Sequence, residues 1–176
     1  MKATGIVRRI DELGRIVIPK EIRRTLKIKE GDSLEIYMNE ESEIILKKHS
    51  MLNILEDVSN KYVESVYSLM NKNIIVTDRD IVIATSSPLR KRYLGNSISS
   101  NLEAIIERRE STTENNVSEV EFISDFKVNA AYTISPIIVA GDVEGLVIIF
   151  SDTNIDSEDE KVAQLSALFF SKQLED

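Results

Sequence analysis

Arg8, Arg9, Arg15, Lys20, Arg23, Arg24, Lys27 and Lys29 crowd the first 29 residues of this 176-residue chain, where Asp11, Glu12 and Glu21 are the only acids. Cations at this density do one kind of chemistry well: they donate charge-assisted hydrogen bonds to phosphate oxygens. With Lys2 the segment holds nine Lys+Arg against three Asp+Glu, a charge of +6; the whole chain is −8, so everything after Lys29 sums to −14. A basic head kept on an acidic body implies a polyanionic partner. On composition alone, a solvated basic surface that meets many anions is an equal alternative.

Other chemistries are excluded by what the chain lacks. It has no Cys, which removes disulfides, thiolate metal sites and cysteine nucleophiles, and its one His, His49, reads as a solvated linker residue. Asp78 and Asp80 form a carboxylate pair, but in Asp78-Arg79-Asp80 turn chemistry is the ordinary explanation. The run Asp152-Thr-Asn154-Ile-Asp156 begins like a calcium loop, yet Ser157 stands where that loop needs Gly and Ala163 where it needs Glu. No catalytic residue, metal or cofactor is therefore expected. No apolar run approaches the roughly 20 residues of a membrane span, and MKATGIVRR has no signal-peptide core. The expectation is a cytoplasmic, nucleoid-associated protein with no membrane partner.

The elements that must position the cations are short. Ile6 to Ile10 and Arg15 to Ile18 read as strands around a turn at Asp11–Gly14. Pro19 stops the second strand and suits a helix start, and Lys20 to Lys27 follows as about two turns. Ile22 and Leu26 fall on its inner face, Arg23 and Arg24 on its outer one. Leu34–Met38 and Glu43–Lys47 complete a ββ-helix-ββ unit. A unit this small buries too little apolar surface to stand alone, so an obligate homodimer with interleaved hairpins is expected. Arg8 and Arg9 point to opposite faces of a strand, whereas Arg23 and Arg24 sit about 100° apart on a helix and both can reach a phosphate backbone.

The run TGIVRRIDELGRIVIPKEIRRTLKIKEGDSLEIYMN…EIILKK resembles the swapped-hairpin DNA-binding domain of the AbrB family of transition-state regulators. That resemblance implies an interleaved β-barrel dimer that docks on double-stranded DNA. It implies DNA contacts at Arg8, Arg15, Arg23 and Arg24, with Arg9 and Lys20 as weaker candidates. The longer build resembles the stage V sporulation protein T family, in which such a head precedes a GAF-like domain, and so implies a regulator, activator or repressor, of sporulation-stage genes. A rival expectation is an antitoxin-like or other protein-binding module, since the same head occurs in antitoxins that hold a toxin through a disordered tail.

The remaining chain is periodic and reads as folded. Domain bounds of 1–50 for the head, 51–71 for a linker helix and 72–176 for a regulatory or oligomerisation domain are expected. Met51, Leu55, Val58, Tyr62, Val66 and Leu69 form the linker's apolar stripe. Strands are expected at 73–78, 80–85, 117–122, 130–139 and 145–150, with a helix at 98–109, a polar loop at 110–116 and a closing helix at 156–174. Ser157 and Glu160 read as that helix's capping box. Its two apolar faces, Val162/Leu165/Phe169 and Ala163/Ala167/Phe170/Leu174, imply two burial partners: its own sheet and another subunit, hence a homotetramer. The fold class is α+β, an antiparallel sheet flanked by helices, similar in layout to the GAF fold. Its small-molecule ligand is left unknown, and Arg90, Arg92 and Tyr93 are the candidate lip of a pocket.

Overall fold

In the computed structural model the described residues are 5–26, 28, 30–40, 42–48 and 56–175. The chain divides into two compact units, residues 1–49 and 50–176.

The first unit contains helix α1 (Lys20–Thr25) and an antiparallel hairpin, β1 (Leu34–Met38) with β2 (Ile44–Lys48). Pro19 occupies the N-cap of α1 in an extended conformation, as its ring requires. Leu26 caps the helix's far end, and the expected last residue, Lys27, lies outside the described residues. Gly31 takes a positive φ of 88° in the turn before β1. The Lys48 ammonium pairs with the Asp32 carboxylate at 3.1 Å across the hairpin's open end. One expectation is corrected here. Residues 5–10 and 15–18 form no strand within the chain. The turn between them does close, Asp11 N–H donating to Arg15 O at 3.0 Å. Strand geometry needs a neighbouring edge to bond to, and the described residues of one chain offer these segments none. Leu26, expected to face inward, is 56% exposed for the same reason.

The second unit is a sheet with helices on both faces. Helix α2 (Glu56–Met70) leads into β3 (Asn73–Thr77) and β4 (Val82–Thr85), then the short α3 (Arg90–Tyr93) and α4 (Ser100–Arg108). Long strands β5 (Thr112–Ile123), β6 (Phe126–Val139) and β7 (Asp142–Ser151) precede α5 (Ser157–Glu175). The order across the sheet is β4-β3-β7-β6-β5, every pairing antiparallel. Central strands read as continuous apolar runs because both faces are covered. On β7, Leu146, Ile148 and Phe150 pack with Leu102, Ile105 and Ile106 of α4, while Val147 and Ile149 pack with Val63 of α2 and Ala163, Ala167 and Phe170 of α5.

Several details differ from the sequence reading, among them the starts of β6 at Phe126 and β7 at Asp142, each three or four residues earlier than expected. The stretch 112–116, expected as loop, begins β5, where Thr112–Glu114 pairs with Tyr132–Ile134 before a register shift. Its polar composition is that of an exposed sheet edge. The N-cap of α5 is Asp156, not Ser157: the Asp156 carboxylate accepts from Glu158 N–H at 2.8 Å and Asp159 N–H at 3.2 Å, and Asp159 returns the bond to Asp156 N–H at 2.8 Å. On α2 the buried face runs through Ser59 and Val63, which leaves Leu69 86% exposed. The start of the expected stripe, Met51 and Leu55, lies outside the described residues.

Phe170 is fully buried and meets Tyr62 edge-on, with ring centroids 5.3 Å apart. Phe170→Ala is expected to cost about 3 to 5 kcal/mol in denaturant unfolding of the body. A loss below about 1 kcal/mol would mean that α5 buries a different face.

Candidate nucleic-acid interface

Arg8, Arg9, Arg15, Lys20, Arg23 and Arg24 are exposed, and the fold positions them by two devices. The first is the Asp11–Gly14 turn. Asp11 accepts through one carboxylate oxygen from Leu13 N–H at 3.0 Å and Arg15 N–H at 2.8 Å, and through the other from Arg15 Nε at 2.8 Å. Gly14 sits at φ 77°, and Gly14 N–H returns to Asp11 O at 2.9 Å. Arg15 is thus held at the turn with its side chain still mostly in solvent. The second device is α1, which presents Arg23 and Arg24 from its outer surface, in the last turn where cations also complement the helix dipole. Among the described residues the Arg8 guanidinium donates to its own neighbour's carbonyl, Val7 O, at 3.3 Å.

Behind this surface the head is apolar and open. Ile6, Ile16, Ile18, Ile22, Leu26 and Leu46 line a groove of about 290 Å³, and Arg8, unlike Arg15, Arg23 and Arg24, also borders it. Val7, Ile10, Leu13, Val17, Ile36 and Met38 are exposed as well.

In the body, the residues read as a pocket lip fall apart. Arg92 and Tyr93 line a cleft of about 890 Å³ at one end of the sheet; Arg90 is exposed and is not among its lining residues. Burial raises the Tyr93 phenol above its ordinary value, and the neighbouring Arg92 charge partly offsets this. Sequence reasoning missed Lys72, Phe126 and Phe150, which the fold brings to the same cleft from three different strands or their ends. No signal in the linear sequence joins them. The Asp78 carboxylate accepts from Asp80 N–H at 2.7 Å and Ile81 N–H at 2.8 Å, which is the turn role read for it.

The backbone and side-chain bonds from Arg15 hold the Asp11 carboxyl below its ordinary value of 3.8. A depressed carboxyl favours the ordered turn above the ordinary carboxylate range, and the turn loosens as pH falls through the lowered value. An NMR titration is expected to give Asp11 a midpoint below 3.8, with the Arg15 amide shift following the same curve. Independent midpoints for the two would break the proposed link.

Comparison with known proteins covers both units. Residues 54–175 match the family described as stage V sporulation protein T C-terminal, transcription factor, and residues 7–52 match antidote-toxin recognition MazE, bacterial antitoxin. The chain is 44% identical over 178 aligned positions to stage V sporulation protein T of Bacillus subtilis, covering 99% of each chain. Over 49 residues it is 67% identical to the transition state regulatory protein AbrB of the same organism, covering 28% of this chain and 50% of that one. Among solved structures, the GAF domain of an Acinetobacter phosphoenolpyruvate-protein phosphotransferase superposes on 73% of this chain and 84% of its own at a TM-score of 0.57, with 12% identity. This likeness shows that the body has the GAF fold.

Proposed function

The chain belongs to the stage V sporulation protein T family of transcription factors, and we propose that it regulates sporulation-stage genes by binding double-stranded DNA through its exposed head arginines. It is a regulator and not an enzyme. The observation that carries the reading is the pairing of full-length similarity to a sporulation protein with 67% identity, across the basic head alone, to a transition state regulator. Arg23 and Arg24 on α1, Arg15 on its turn and Arg8 are the proposed DNA contacts, with Arg9 and Lys20 in supporting positions. Six exposed cations suit phosphate contact and shape reading more than a dense pattern of base contacts. A regulator of this kind acts in the cytoplasm, at the nucleoid.

Assembly follows from burial. The head's open groove and exposed Ile and Val residues are covered, in this reading, by the same surfaces of a second copy, whose arm and hairpin interleave with the first. Residues 1–50 then dock on DNA, 51–71 link and 72–176 join dimers into a tetramer. Leu165 is 60% exposed and Leu168 55% exposed on α5, and Leu69 is exposed on α2. These apolar side chains are open to solvent and suit helix-to-helix packing between bodies. The antitoxin match favours a second reading, in which the head serves a protein partner. It covers the head only, and the residues after it form a folded sheet domain where a toxin-binding tail would have to lie.

Two measurements test this. In a salt titration on a promoter-length duplex, the affinity is expected to fall steeply with salt, and Arg23→Ala to make the slope shallower by about 1 to 2 per dimer with the circular-dichroism signal intact. Absence of binding at any salt would transfer the head to a protein partner. Separately, Leu165→Asp with Leu168→Asp is expected to halve the mass seen by light scattering, from tetramer to dimer, without unfolding the body. An unchanged mass would place the assembly surface elsewhere.

A further inference from the structure

The cleft at the end of the body's sheet has a chemistry of its own. We infer that it binds a small organic anion carrying a flat apolar group. This inference stands whether or not the head binds DNA. The floor is apolar and well built: Tyr93 is 2% exposed and Phe150 6% exposed, and their rings lie 6.3 Å apart. Half-buried Phe126 extends this floor and meets Tyr93 edge-on at 5.9 Å. A volume of about 890 Å³ falls within the roughly 300 to 1,000 Å³ of small-molecule sites.

The walls carry the opposite character. Lys91 and Arg92 from α3 and Lys72 from the turn before β3 line the cleft against a single carboxylate, Asp152. Everything after Lys29 sums to −14, so three cations around one cleft run against the composition of the body. Their roles differ. Lys72 is committed to the buried Asp159 carboxylate, with Asp156 also 3.9 Å away. Drawing it off would leave Asp159 a buried charge without its partner, so Lys72 contributes field and not a direct bond. Among the described residues no carboxylate pairs with Lys91 or Arg92. The Arg92 guanidinium lies over the Phe126 ring, 4.8 Å from its centroid. That stacking orients the guanidinium and leaves its N–H edge to meet an oxyanion, while a flat group packs against the half-buried Leu89, Phe126 and Val128, which Tyr93 and Phe150 support from beneath. Phosphate or carboxylate on an aromatic ring fits both halves; neither half alone fills the site.

Titration calorimetry on the full-length chain tests this with phenyl phosphate, beside phenol and inorganic phosphate. Phenyl phosphate is expected to bind, and the two fragments at least about tenfold more weakly. Lys91→Gln with Arg92→Gln is expected to weaken phenyl phosphate about tenfold or more at an unchanged melting temperature. Arg23→Ala should leave it unaltered, which separates the cleft from the phosphate-binding surface of the head. Equal binding of phenol, no binding of phenyl phosphate, or indifference to the double substitution would each overturn the assignment.

Discussion

Concealment of apolar surface on both faces of one five-stranded sheet is the constraint on which the body depends. A sheet has two faces, and β3 and β7 are apolar on both, so each face must be roofed by helices. Helix α4 and the short α3 cover one. Helices α2 and α5 share the other, joined by the stack of Tyr62 on Phe169 at 4.7 Å and by the Tyr62 hydroxyl with Ser166 at 3.0 Å. The ion pair of Lys72 with Asp159 ties the end of α2 to the start of α5 at the sheet's rim. The same arrangement makes the cleft: α3 is too short to roof the whole of its face, and the rim beyond it stays open.

The head meets that constraint differently. It has the polar devices of a finished fold: a capped turn at Asp11, a helix entered through Pro19, and a hairpin closed by Lys48 and Asp32. It lacks cover for its apolar side chains. Sequence and surface therefore pull in two directions: arginines that belong in solvent stand beside exposed isoleucines that do not, and Arg8 borders the apolar groove itself. Both are accommodated once the apolar side is turned to a second copy and the arginines of two chains share one outer surface.

Much of this was legible in the residues, and the exceptions have physical causes. Gly14 and Gly31 marked turns because only positive φ closes them, and Pro19 marked the helix entry because its ring fixes φ. The arginines were legible as a surface because charge resists burial. The strands expected at 6–10 and 15–18 rest on β-branched composition, which reports a preference but not the presence of an edge to bond to. The start of β5 was missed because an exposed edge strand is as polar as a loop. Of the stripe expected on α2, Tyr62 and Val66 do pack on the core, whereas Leu69 is exposed and Ser59 is covered, since the sheet's position and not hydrophobicity alone decides which side chains are buried. Lys72, Phe126 and Phe150 lie too far apart in sequence for any spacing rule to join them.

The open groove behind α1 has one more consequence. A body whose core is complete within one chain keeps its fold at any dilution, whereas a head completed by a second copy, as proposed, would obey mass action. At low abundance the number of finished heads rises with the square of the amount of protein made, and at high abundance in simple proportion. On that reading the regulator would carry a threshold in its own synthesis: a small early supply would stay silent, and the response would sharpen as the chain accumulates.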